Sequence, residues 1–153
     1  MDIGSKGSYP AGKLSNFTGF KFKFDGVECA SMEGLLQSFK FENIESQRAT
    51  CQLVGFAAKK KGFGRNNYWK SKQTLWWNGS AYLRKSKEYQ ILLNRAYNAL
   101  YENEDFRKTL LDAGSAIFTH SIGKNNEKET VLTENEFCKR VQHLKDFGKL
   151  EEK

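Results

Sequence analysis

Hydrophobic and polar positions repeat at two different periods along the chain, and the changes of period mark its elements. From Phe20 to Cys29 the period is two, with Phe20, Phe22 and Phe24 pointing one way and Lys21 and Lys23 the other. Asp25-Gly26 is a two-residue hairpin signal ahead of Val27 and Cys29. This stretch predicts a small antiparallel hairpin whose phenylalanine face is buried against helices. Beyond it the period is helical. Ser31 can cap a short helix with Met32, Leu36 and Phe39 on its apolar face. Gln47 to Lys60 reads as a second helix, with Cys51, Val54 and Ala58 as its stripe and Gly62 as its stop. Ser86 starts a longer helix in which Tyr89, Leu92, Leu93, Ala96, Tyr97 and Leu100 recur at helical spacing. Asn103 caps the next, with Phe106, Leu110 and Leu111 inward and Gly114 ending it. Ala116 to Thr119 reads as a brief strand. Thr133-Glu134-Asn135-Glu136 fits a capping box for a last helix that turns Phe137, Val141 and Leu144 inward.

These elements sum to one α+β domain, mainly helical, with a small N-terminal β-hairpin. Its length of 153 residues suits a single core. Residues 1–12, rich in Gly and Ser and holding the sole proline, Pro10, read as an extended arm, and residues 149–153 as a frayed tail. Twelve phenylalanines supply much of the core volume. No apolar run reaches membrane-spanning length and no signal-peptide pattern is present. Cys29, Cys51 and Cys138 are far apart and odd in number, which favours reduced structural thiols in a cytoplasmic protein. Two histidines give no zinc spacing, so no metal and no cofactor is expected. The net charge of +7 and pI near 9.3 point to an anionic partner, a phosphorylated ligand, nucleic acid or both, or to a merely soluble basic surface.

The polar face of the Ser31 helix carries the sharpest chemistry. Glu33, Gln37 and Lys40 stand at i, i+4 and i+7, so a carboxylate, an amide and an ammonium form one line. Such a line can grip a polar, anionic ligand. It is equally what a solvated capping face looks like, since the macrodipole favours an acid in a first turn.

Several motifs in order tip that balance. Leu14-Ser15-Asn16-Phe17, then a Phe-rich stretch, then Asp25-Gly26-Val27, then Ser31-x-Glu33-x-x-x-Gln37-x-x-Lys40-Phe41 resembles the opening of the NADAR (YbiA-like) family, roughly L-S-N-F, D-G-V and S-x-E-H-x-Y/F-Q-x-x-K. Leu110-Leu111-Asp112-Ala113-Gly114 is similar to that family's L-L-x-T-G. The resemblance is specific over the first third of the chain and makes residues 13–148 a YbiA-like domain. Members of the family are N-glycosidases, some acting on ribosylated intermediates of riboflavin synthesis and others removing ADP-ribose from guanine in nucleic acid. Two departures stand out. Gly34 occupies the place of the family's histidine, and no D-x-x-W-G signature is present, its place being taken by Thr119 to Lys124 and Glu129 to Thr133.

The resemblance implies that Glu33 is the base and the stabiliser of an oxocarbenium-like state, and that Asn16 bonds ribose hydroxyls; a turn role for Asn16 is the alternative. A helix-start carboxylate is expected to stay ionised, while burial would act against this. Gln37 and Lys40 orient Glu33 or touch sugar and phosphate. Lys59 to Lys70 is the most basic stretch, and Arg65 in it can pair with a pyrophosphate if Gly62-Phe63-Gly64 forms a loop. Trp69 is a candidate stacking partner, and of Trp76 and Trp77 one is core and the other, taken as Trp76, a pocket wall. Thr119 to Lys124 offers His120 as the acid for a leaving base, with Ser121 and Lys124 at the pocket edge. The expected substrate is an ADP-ribosyl or ribosyl-phosphate conjugate, free or carried on nucleic acid. A non-catalytic ADP-ribose-binding module and a plain basic nucleic-acid binder are the alternatives.

Overall fold

The computed structural model describes all 153 residues. In chain order the elements are β1 (Phe22–Phe24), β2 (Val27–Cys29), α1 (Met32–Ser38), α2 (Ile44–Cys51), α3 (Gly55–Phe63), α4 (Asn66–Lys72), β3 (Thr74–Trp77), β4 (Ser80–Leu83), α5 (Lys87–Tyr101), α6 (Glu104–Asp112) and α7 (Glu134–Phe147). This is the expected α+β domain dominated by helices. The two sheets are separate antiparallel hairpins, β1-β2 and β3-β4. In the first, Phe24 pairs with Val27 across Asp25-Gly26, both at positive φ, so the turn twists with its strands. Phe20, Phe22 and Phe24 are buried.

The second hairpin is absent from the sequence reading, although Asn78-Gly79 is a turn signal of the same kind and also takes positive φ. Its Trp77 is core. Phe24 stacks on that ring at 5.4 Å, Phe39 meets it edge-on at 5.7 Å, and its indole N–H donates to Asp25 Oδ2 at 2.9 Å. The two hairpins are thus joined through one tryptophan.

Four other expectations change. The single helix over 47–60 is two, because the chain breaks after Cys51 and restarts at Gly55 with φ +53, leaving Val54 as an exposed cap rather than a stripe residue. Gly62 does not stop α3 but lies inside it, and the basic stretch is two helices instead of a glycine loop. Ala116 to Thr119 forms no strand, only one parallel bridge between Thr119 and Asp2. Leu111 of α6 is 71 % exposed, not inward.

The long helices follow their pattern. Ser86, Asn103 and Thr133 accept the expected cap hydrogen bonds, and the Thr133–Glu136 capping box closes in both directions. Glu136 has a second duty. It makes a two-pronged ion pair with buried Arg84, at 2.6 and 3.1 Å, and accepts from Gln90 at 2.6 Å. That cluster ties the residue that follows β4 to α5 and α7. At the termini, Ile3 is buried and its N–H donates to Thr119, while Asn98 holds Leu150 through both backbone groups.

Burial by itself would raise the Glu136 carboxyl, but Arg84, the Thr133 N–H and Gln90 overcome it and hold the group down at about 2. A depressed carboxylate stabilises the fold above its unfolded value and loses that stability as pH falls toward the folded one. Urea titrations are therefore expected to show stability draining between about pH 4.5 and 2, by about 3 kcal/mol from this group. Glu136→Gln should remove that slope and cost about 3–5 kcal/mol at neutral pH, because Arg84 is left buried without its counter-charge.

Candidate active site

Glu33 sits in the first turn of α1, and three contacts set its place. Ser31 Oγ caps the helix by accepting from Gly34 N at 3.0 Å and donates to Leu53 O at 2.8 Å. The Glu33 N–H itself donates to Asn16 O at 3.0 Å, clamping the Leu14–Phe17 segment onto the helix start. One helical turn on, Gln37 Nε2 donates to Glu33 Oε2 at 2.7 Å. Past the end of α1, Lys40 Nζ donates to Asn66 Oδ1 at 2.6 Å. The polar line is not a solvated face, because Gln37 and Lys40 are only 6 % and 7 % exposed.

It opens instead onto a cavity of about 420 Å³, a usual size for a small-molecule site. Asn16, Glu33, Gln37, Lys40, Trp69, His120 and Lys124 all line it. Tyr97, buried in α5, donates its hydroxyl to Asn16 Oδ1 at 2.9 Å, which fixes the amide and leaves its NH₂ for an occupant. The Trp69 indole N–H is buried with no partner in the chain. On the opposite wall His120 presses its ring edge-on against Phe137 at 5.1 Å, and its Nδ1 lies 2.7 Å from Ile3 O. A carbonyl only accepts, so Nδ1 carries the hydrogen and Nε2 is the atom left for chemistry.

Three candidates are not brought to the cavity. Arg65 lies half-buried at the cap of α4 with its guanidinium 4.1 Å over the Tyr68 ring and 5.6 Å over that of Phe41, because the segment is helical and not a loop. Trp76 packs half-buried against Tyr68 at 5.6 Å, since strand alternation sends Trp77 inward and Trp76 outward. Ser121 is taken up by Asp2, which accepts from both its N–H and its hydroxyl.

Lys59, Phe63, Asn66 and Lys70 line the wall without having been selected from the sequence. The signal lay in small residues: Ala58 and Gly62, one turn apart, mark the face of α3 that packs closely, and Lys59 and Phe63 follow each of them. Lys70 reaches Glu129 across the cavity at 3.1 Å.

Burial drives the two central groups toward their neutral forms. The Glu33 carboxyl is raised above the ordinary carboxylate range by desolvation, against the opposing pull of Gln37, Lys40, Lys59 and His120. Of the two influences weighed at the sequence level, burial prevails. Burial likewise pushes the Lys40 ammonium down to about 8, against the pull of Glu33 and helped by Lys70, Lys59 and Lys124. A raised carboxylate is a better base, and a cation-lined wall offers its charge to an anion.

Gly34, in the place where the resembling family's motif has histidine, has a steric cause. A Cβ there would lie 2.6 Å from Leu53 O and 2.9 Å from Thr50 O, both backbone. No side chain fits between α1 and the end of α2.

The fold has a solved counterpart. The NMR structure of the E. coli protein YbiA matches it with a TM-score of 0.60 and 16 % identity, over 95 % of this chain and 82 % of that one. Residues 8–146 match the family of bacteriophage protein GP30.3, and the chain belongs to that family, with a YbiA-like fold. It is also 34 % identical over 150 residues to an uncharacterized 17.1 kDa protein in the Gp30-rIII intergenic region of enterobacteria phage T4, covering 95 % of this chain and 97 % of that relative.

Gly62 controls the position of Gln37, since a Cβ at 62 would fall 1.8 Å from Gln37 Oε1. Gly62→Ala should leave the helical circular dichroism intact and lower stability by about 1–3 kcal/mol through overpacking. With the Gln37 hydrogen bond lost, the Glu33 carboxyl should titrate higher still, read by carbon-detected NMR. Gly64→Ala is the control, as a Cβ there meets nothing within 4 Å.

Proposed function

We propose that this protein is an N-glycosidase that hydrolyses the N-glycosidic bond of an ADP-ribosyl or ribosyl-phosphate conjugate. The observation that carries the reading is a raised carboxyl, Glu33, held by an amide inside a lysine-lined cavity with an imidazole on the facing wall. The ionised Glu33 takes a proton from a water whose oxygen attacks C1 of the pentose. As the C1–N bond breaks, its electron pair leaves with the base, and positive charge on the sugar develops beside the carboxylate. His120, as imidazolium, delivers a proton from Nε2 to the departing nitrogen. Asn16 offers its NH₂ to ribose hydroxyls, and Lys40, Lys59 and Lys124 offer ammonium groups to phosphate. No helix of the protein is long and apolar enough to cross a membrane.

The burial of Glu33 also favours a second reading, in which a neutral carboxyl only hydrogen-bonds a bound nucleotide and no bond is cut. Turnover separates the two. Purified protein is incubated with ADP-ribosylated guanine DNA and with ribosylaminopyrimidine phosphates, and free sugar and base are scored by mass spectrometry. Wild type should release sugar from at least one, and Glu33→Gln should do so about 100- to 10,000-fold more slowly. Binding of ADP-ribose without release from any conjugate would leave only the binding module.

The pH dependence follows from the two shifted groups. A base must be ionised, so kcat should rise with pH through the elevated Glu33 value. Lys40 must stay protonated to hold an anion, so KM should climb as pH passes about 8. In Lys40→Met that climb in KM should vanish while the acid limb of kcat remains.

A further inference from the structure

Helix α3 presents an outer face that the core does not explain and that the cavity explains only in part. Phe56 and Phe63 are each 70 % exposed, although they belong to a helix packed firmly through Ala58 and Gly62. At 100° per residue, Lys59, Phe63, Phe56 and Lys60 fall side by side on one stripe, opposite Ala58 and Gly62. Two aromatic faces are thus flanked by two ammonium groups. The stripe begins at the site, because Lys59 and Phe63 also line the cavity, and runs away from it through Phe56 and Lys60. Across the mouth stand exposed Ile122 and Lys124.

The charge around this stripe is one-sided. Residues 46–87 contain ten Lys and Arg and no Asp or Glu, whereas the rest of the chain has fifteen against eighteen. Of those ten only Arg84 is neutralised, by Glu136 in the core, and Lys70 has a half-exposed pairing with Glu129. All the excess positive charge of the molecule therefore lies in the segment that carries the exposed phenylalanines, and Lys59, Lys60 and Lys61 stand on the same helix as they do.

We propose that the outer face of α3 is a docking surface for single-stranded nucleic acid, leading a strand to the cavity mouth. Lysines neutralise phosphates, and phenylalanines without core partners stack on unpaired bases irrespective of sequence. Phe56 and Phe63 are two helical turns apart, about 10.5 Å along the axis, so they serve different bases. Duplex DNA hides its base faces and fits the stripe poorly. The proposal deepens the glycosidase reading, because the strand would carry the sugar that the cavity receives, but the surface is tested without catalysis.

The test is fluorescence anisotropy with short, unmodified oligonucleotides, single-stranded DNA and RNA in parallel and duplex DNA as comparison. Wild type should bind the single strands more tightly than the duplex, with affinity falling steeply as salt rises. Phe56→Ala should weaken single-strand binding roughly 5- to 150-fold. Lys60→Ala should lower the salt slope by about 0.7, one phosphate contact. Neither residue touches the cavity, so sugar release from a small conjugate should be unchanged in both variants. Glu33→Gln should bind strands as wild type does, which separates failure of the surface from failure of the chemistry. The proposal is overturned by absence of single-strand binding at low salt, by preference for duplex, or by indifference to both substitutions. It is equally overturned if no strand binds and Phe56→Ala instead abolishes self-association in sedimentation or attachment to anionic vesicles.

Discussion

Everything at the site depends on how closely α1 lies against α2 and α3. Two glycines permit that approach, Gly34 beneath the carbonyls that end α2 and Gly62 beneath the amide of Gln37. With the helices this near, Gln37 has no freedom to swing away, and the carboxyl it holds is fixed at the cavity wall. A methyl group at either position would push backbone or amide aside, and packed interiors transmit such shifts instead of absorbing them. The histidine missing after Glu33 is therefore a geometric necessity of this chain's packing.

The cavity wall is electrostatically unsatisfied when empty. Four lysines face it, and only Lys70 and Lys40 have partners within the chain, a carboxylate and an amide oxygen. Desolvation draws Glu33 and Lys40 toward neutrality from opposite sides, so each depends on the other for its remaining charge. An anionic occupant would restore the ammonium and shift the balance of the pair. Affinity for an anion and ionisation of Glu33 are then linked quantities, set by the same few ångströms of burial.

Most of the helical frame was legible from periodicity and caps. Tyr89 to Leu100 and Phe137 to Leu144 bury as their spacing indicates, and Ser86, Asn103 and Thr133 start helices where they should. The core of the site was legible too, with Asn16, Glu33, Gln37, Lys40, His120 and Lys124 converging. What escaped was tertiary. The break before Gly55 needed knowledge of a positive φ, and without it the basic segment looked like a glycine loop suited to phosphate, which made Arg65 attractive. Asn78-Gly79 carried the same turn signal as Asp25-Gly26, yet the two tryptophans before it drew attention to stacking instead of pairing. Ser121 was lost to Asp2, a partner 119 positions away that no local pattern discloses.

That distant partnership has a kinetic side. His120 is held by the carbonyl of Ile3, and its neighbours Thr119 and Ser121 by Asp2, all separated by more than a hundred residues. Closing so long a loop is entropically costly and is rewarded only once the intervening helices are in place. The carboxyl side of the cavity, built from contacts much nearer in sequence, can assemble first. A chain with its opening segment still undocked would own a shaped hollow but lack the fixed imidazole on its facing wall. A fully lined cavity thereby reports that the opening residues have found the segment 119–121.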